Sequence, residues 1–173
     1  YIPGNYKWCD LRNEVITKYY PEKELSKDVI NDAVEFYDPL LPIAGRVDGK
    51  VTLDTSDDAV RQNLKHGWRT PTAAECQELL DNCDWELANF EGVKGYTVRS
   101  RVNGNSIFLP ITGYYSIGGK EGDSYNKVRY GVYMSSSLAP HKEKCVTLRF
   151  HDSDIRLSSS QRSDGLVIRP VRD

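Results

Sequence analysis

No stretch of this 173-residue sequence strings together the roughly 20 apolar residues that a membrane-crossing helix needs. An excess of either charge is missing as well. Lys and Arg total 23 against 25 Asp and Glu, a formal net charge of −2. That balance provides neither the electrostatic footprint of a nucleic-acid binder nor a basic face for anionic lipid. The four cysteines form no C-x-x-C pair, which argues against a zinc ribbon or a thioredoxin-like centre. No G-x-S-x-G elbow, H-E-x-x-H helix or P-loop is present, so the common hydrolase, metalloprotease and nucleotide-binding signatures are lacking. Methionine occurs once, at Met134. The chain begins at Tyr1 without an initiator methionine or an apolar signal segment, and we expect a mature or excised fragment.

What is present suits one soluble domain with a proper core. Eleven tyrosines and three tryptophans lean towards an extracytoplasmic all-β or α+β protein. Cys9, Cys76, Cys83 and Cys145 allow three pairings if oxidised, and buried free thiols are the simpler reading.

Residues 1–46 are irregular, with Pro3, Pro21, Pro39 and Pro42. A helix is expected there over Leu25–Phe36, where Leu25, Val29, Ala33 and Phe36 recur at helical spacing. In "DTSDDAVRQNLKHG", Ser56 is the expected cap, Asp57 and Asp58 fill the first turn, and Gly67 ends the helix. In "WRTPTAAECQELLDNC", Thr72 and Glu75 form a capping box. Cys76, Leu79, Leu80 and Cys83 then fall on one apolar face. From Trp85 onward the pattern is that of strands. "GYTVRSRV" and "NSIFLP" flank Asn103-Gly104, which reads as a two-residue hairpin turn. "YGVYMSSSL", "KCVTLRF", "DIRLSS" and "GLVIRPV" follow a glycine-rich loop. Helices first and short strands afterwards predict an α+β fold with an antiparallel sheet.

The ordered motifs "DDAV…GWRTPTAAECQELLDNCDW", "GVKGYTVRSRVNGNSIFLPITGYY", "YGVYMSSSL" and "GLVIRPV" resemble the Fibrobacter succinogenes major paralogous domain, over residues 47–171. That family looks like a branch of the C-type lectin-like and formylglycine-generating-enzyme superfamily, common on surface proteins of Bacteroidetes. Cys76 stands where the family has a large aromatic, and Met134 where it has tryptophan. The resemblance implies a single C-type lectin-like domain spanning 1–173. It implies two helices flanking a twisted antiparallel sheet, paired N- and C-terminal strands, and long loops. It also implies an extracytoplasmic place, secreted or on the cell surface, often as part of a lipoprotein.

Formylglycine-generating cousins need a cysteine pair late in the chain, where this sequence offers only Cys145, so we expect no enzyme and no catalytic residue. Asp152-Ser153-Asp154 lacks the glycine and closing glutamate of an EF-hand. It reads as a hairpin turn, so neither metal nor other cofactor is expected. His66 and His141 stand alone in polar surroundings.

Alternation points instead to recognition. Val146, Leu148 and Phe150 turn one way, leaving Thr147, Arg149 and His151 on the other side. Ile155 and Leu157 likewise leave Asp154, Arg156 and Ser158 outward. Met134 in the core places Tyr133 and Ser135 outward. With Arg162 these nine residues form the expected ligand-binding set, rich in the Tyr and Arg of binding hot spots. The expected partner is a protein or carbohydrate, engaged in an adhesin- or receptor-like manner, with no nucleic acid and no direct membrane insertion. A resemblance to the variable proteins of diversity-generating retroelements concerns the segment Tyr130–Arg169. There Lys142, Glu143, Lys144 and Gln161 would be fixed positions. A structural spacer of a surface lipoprotein is the alternative, and a formylglycine-generating-type oxidase the more remote one.

Overall fold

The computed structural model describes residues 50–64, 67–114, 129–140, 144–152, 154–162 and 164–173. The expected helix over Leu25–Phe36, Cys9, His66, His141 and the glycine-rich loop lie outside the described residues. Among the described residues the protein is α+β, with two helices and antiparallel sheets, and strands make up most of the regular structure. No described helix is long and apolar enough to cross a membrane.

The first helix, α1 (Ala59–Leu64), starts later than the sequence suggests, and its cap is Asp58 rather than Ser56. Asp58 Oδ1 accepts from the Val60 amide at 2.9 Å, while Ser56 Oγ donates to Asp57. Asp57 and Asp58 donate their amides to the Asp54 carbonyl in a turn ahead of the helix, and both are buried. Gly67 takes the left-handed conformation its place after a helix suggested, at φ 79°.

Strand β1 (Trp68–Arg69) leads into α2 (Ala73–Asn82). The capping box forms as expected: Thr72 Oγ1 accepts from the Glu75 amide, and the Glu75 carboxylate accepts from Thr72 N. Cys76 is buried on the inner face, and Leu79 and Leu80 pack against the core. Cys83 is buried too, but as the first residue of β2 rather than on the helix. Cys76 and Cys83 are free thiols, as expected.

β2 (Cys83–Phe90), β3 (Val93–Ser100) and β4 (Ser106–Pro110) form one antiparallel sheet. The β2–β3 hairpin turns on Glu91 (φ 50°) and Gly92 (φ 84°), the doubly positive geometry of tight hairpins. Asn103-Gly104 is not a two-residue turn. Ser100 donates its amide to Asn105 O and accepts from Gly104 N, closing a five-residue loop, Arg101 to Asn105. Only Gly104 in it has positive φ.

β5 (Gly131–Leu138), β6 (Lys144–His151) and β7 (Asp154–Gln161) form the second sheet. A third pairs β1 with β8 (Val171–Arg172), so an early strand and the last one meet. Where the resemblance implies one twisted sheet, the hydrogen-bonded strands thus fall into three. "GLVIRPV" is correspondingly split: Val167 bridges Tyr133 in parallel, while Val171 belongs to β8. Between them Pro170 has no amide to give a ladder.

The main core lies where α2 and the two large sheets meet. Phe150 is fully buried, with Tyr96, Tyr133 and Trp85 rings 5.4, 5.5 and 5.7 Å away. Arg69 ties the edges together. It grips Glu75 through two nitrogens at 2.6 and 2.7 Å and donates its Nε to Asp173, which Arg61 also holds. The Arg69 hydrogen bond holds the Glu75 carboxyl down at about 2, against an ordinary 4.5. Because the folded value is depressed, this stabilisation is fully present above pH 4.5 and is lost as pH falls towards 2. Glu75→Gln is therefore expected to be less stable than the parent at pH 7. Its melting temperature should also fall less steeply between pH 5 and 2. Parallel acid slopes in thermal melts would refute the assignment.

Candidate functional site

The expected site residues divide by where the sheet register puts them. Tyr133 pairs with Leu148, which pairs with Leu157, and directly paired residues share a face. Tyr133 is therefore inward rather than outward. It is buried, donates its hydroxyl to Pro110 O at 2.8 Å, and its phenol is pushed up to about 12 by burial. Ser135 is inward as well. Its Oγ donates to Val146 O within a bulge where four residues of β5, Ser135 to Leu138, face two of β6, Val146 and Cys145. That bulge is a structural joint: Ser136 binds the Pro71 carbonyl, and Ser137 Oγ accepts from Ala73 N at the start of α2.

Met134 does avoid water, but on the opposite face, with Leu53, Leu138, Cys145 and Leu166 in a second small cluster. One end of this sheet is covered on both sides, so an apolar Met134 could not say which side is the main core. Thr147, opposite Met134 and Ser158, is consequently fully buried rather than exposed. Ser158 is half-buried. Arg162 is also buried, just past the end of β7, and offers no accessible surface for a ligand.

The other end of the same face is where the remaining residues gather. Arg149 sits opposite Val132 on one side and Arg156 on the other, and His151 pairs with Asp154. Asp154 and Arg156 are exposed and joined by a 2.9 Å ion pair, while Arg149 and His151 are half-buried. The β6–β7 connection is the hairpin turn expected at this point, with Asp152 at φ 46°. The Arg149 guanidinium lies 4.3 Å from the centre of the Tyr130 ring, and the His151 ring lies 4.6 Å from the same ring at 35°. Arg149 Nε is buried without a hydrogen-bond partner among the described residues.

Three contributors were missed from sequence. Tyr130 was open to discovery, since it shares the parity of Val132 and precedes β5 by one residue. Lys94 was not, because β3 reaches the site only through packing between the sheets, and Arg129 lies outside any strand, two residues before β5. The Tyr96 hydroxyl donates to the Asp152 carbonyl and fastens the β6–β7 turn to β3. Beside that turn opens a cleft of about 400 Å³, lined by Lys94, Arg129, His151 and Asp152.

Chemically, the face offers fixed cations, an imidazole and hydrogen-bond-accepting carboxylates around one aromatic ring. No group of three His, Cys, Asp or Glu among the described residues is placed to hold a metal ion. The fold and this face define an α+β domain with a polar, cationic sheet end. No family model matches the chain, and no curated protein or solved structure matches it.

Proposed function

We propose that this protein is a non-catalytic ligand-binding module, displayed outside the cytoplasm, that grips a protein or glycan through the open end of the β5–β6–β7 sheet. One observation carries the reading. Arg149 and Arg156 face each other directly across neighbouring strands, an arrangement that is destabilising between like charges. Among the described residues Arg149 also keeps a buried Nε unpaired, at a cost of about 1–3 kcal/mol, with its guanidinium stacked on Tyr130. Among the described residues Asp154 answers only Arg156. Charge held in this way against folding stability is what an anionic or hydrogen-bonding partner would relieve on binding.

The reading takes the fold as C-type lectin-like. Its support is the order of helices before strands, the meeting of β1 with β8, and the long connection from β4 to β5. In the retroelement version, variation is concentrated on the solvent side of β6 and β7 while Phe150, Leu148 and Tyr133 stay fixed. A near-identical template repeat beside a reverse transcriptase gene would distinguish it.

The test is the triple variant R149A/H151A/R156A. With one or two hot-spot side chains among the three, capture of the ligand selected by glycan-array and surface-protein screening should weaken by about 100-fold. The far-ultraviolet spectrum and cooperative melt should be retained. Unchanged capture by a folded triple variant sinks the proposal.

A further inference from the structure

We infer that the cleft beside the β6–β7 turn is a subsite for an oxyanion carried on a sugar ring, a carboxylate or sulfate group of an acidic saccharide. This rests on the ligand-binding reading above and names the class of ligand.

The charge distribution comes first. The chain as a whole is slightly acidic, yet among the described residues Lys94 and Arg129 line the cleft and Arg149 and Arg156 stand on the adjoining sheet end, against Asp152 and Asp154. They come from separate parts of the chain: the start of β3, the residue two before β5, and the facing strands β6 and β7. Arginine and lysine are suited to carboxylate and sulfate oxygens, arginine through paired N–H groups.

The second point is what the cations already hold. Asp154 is committed to Arg156. Asp152 lies 3.2 Å from His151 Nε2 and 3.9 Å from Lys94 Nζ, loose contacts made by a carboxylate that is 64% exposed. Arg149 donates to no carboxylate among the described residues, and its guanidinium is stacked on Tyr130 with Nε unpaired. Among the described residues the surplus at this end of the sheet is therefore cationic.

The third is the nature of the walls. A protein ligand is anchored by an apolar or aromatic side chain in a matching pocket. Among the described residues this cleft is lined by Lys94, Arg129, His151 and Asp152, none of them aliphatic. Cationic donors meet an oxyanion, while the exposed Asp152 carboxylate accepts hydrogen bonds from hydroxyls. That combination fits a polyhydroxylated acid better than a bare sulfate ion, which would have nothing to donate to Asp152. A volume of about 400 Å³ lies within the range of small-molecule sites and suits one or two sugar units.

Titrating the whole chain with lactose, sialyl-lactose and sulfo-lactose by calorimetry or chemical-shift mapping tests this directly. At least one charged sugar should bind about tenfold or more tightly than lactose, and the margin should shrink at high salt. The sialyl and sulfo arms tell carboxylate from sulfate. Lys94→Gln with Arg129→Gln should abolish the margin, and since both residues are exposed the variant is expected to melt like the parent. Arg129→Gln alone is the second check and should reduce the margin.

Equal affinity for charged and neutral sugars, or a double variant that keeps the full margin, overturns the oxyanion subsite. So does the absence of binding to both charged sugars at millimolar concentration. In each of these cases the broader reading stands if R149A/H151A/R156A still loses capture of a protein or neutral glycan. If that triple variant loses nothing, the sheet face falls with the subsite.

Discussion

Phe150→Ala lowers the unfolding free energy by about 3–5 kcal/mol, the range for truncating a buried aromatic, and towards its upper end. The ring has no solvent exposure and is surrounded by Trp85, Tyr96 and Tyr133 at centroid distances of 5.4–5.7 Å. Edge-on and stacked aromatic contacts of this kind add to simple area burial. The void left by alanine is also hard to fill. Its cross-strand neighbour is Gly131, which has no side chain to move in. A Cβ there would come within 2.1 Å of the Phe150 ring, so glycine is what lets the ring lie flat on β5. Tyr133 is held away by its hydrogen bond to Pro110 O. In a chain of this length the loss should lower the melting temperature by on the order of 10 °C or more. Gly131→Ala should be destabilising as well, and partly rescued by Phe150→Leu, since the clash is with the ring edge. A Phe150→Ala cost below about 1.5 kcal/mol by urea titration would refute this account of the core.

The same residue marks how far the sequence could be followed. Phe150, Leu148, Ile155 and Leu157 were legible as inward because strict alternation on β6 and β7 has one solution once those apolar positions are set. Tyr133 was not. Its strand carries Val132, Tyr133 and Met134 in succession, and alternation cannot choose between two faces that are both covered. The second cluster around Cys145, built from Leu53 and Leu166, depends on distant segments folding back and leaves no periodic trace. The burial of Thr147 follows from it.

Local signals fared according to how local they were. The Thr72–Glu75 box closes within four residues and could be read outright. Asn103-Gly104 carries the strongest hairpin dipeptide, yet Ser100 and Asn105 close a wider loop, and the tight turn fell to Glu91-Gly92 instead. In the candidate site, Arg149, His151, Asp154 and Arg156 were readable from parity. The part contributed by Lys94 depends on how one sheet sits on another, fixed by the Tyr96–Asp152 hydrogen bond, while Arg129 belongs to the lead-in to β5.

Asp58 is the sharpest case of a residue whose role only the tertiary structure discloses, and Asp58→Ala should cost about 3–5 kcal/mol. From sequence it is one of two acids expected in the first turn of a helix. In the fold it is 3% exposed and accepts three hydrogen bonds, from Val60 N at 2.9 Å, Thr70 N at 2.9 Å and Thr70 Oγ1 at 2.7 Å. Removing the carboxylate takes away the helix cap, worth about 1 kcal/mol. It also strands the Thr70 amide and hydroxyl in a position only 1% exposed, at about 1–3 kcal/mol each. The damage should spread, because Pro71 follows and its carbonyl anchors Ser136 of the β5 bulge. Asp58→Asn separates this from a simple helix-dipole effect, which is worth less than about 1 kcal/mol at most exposed sites. Both Asp58 oxygens face donors, so an amide must point its NH2 group at an N–H or O–H and should cost nearly as much as alanine. Thr70→Val removes one of the stranded groups, so the Asp58→Ala/Thr70→Val pair should be less destabilised than the sum of the two single changes. Strict additivity in that double-mutant cycle, or Asp58→Asn melting within about 2 °C of the parent, would show that Asp58 is merely a surface cap after all.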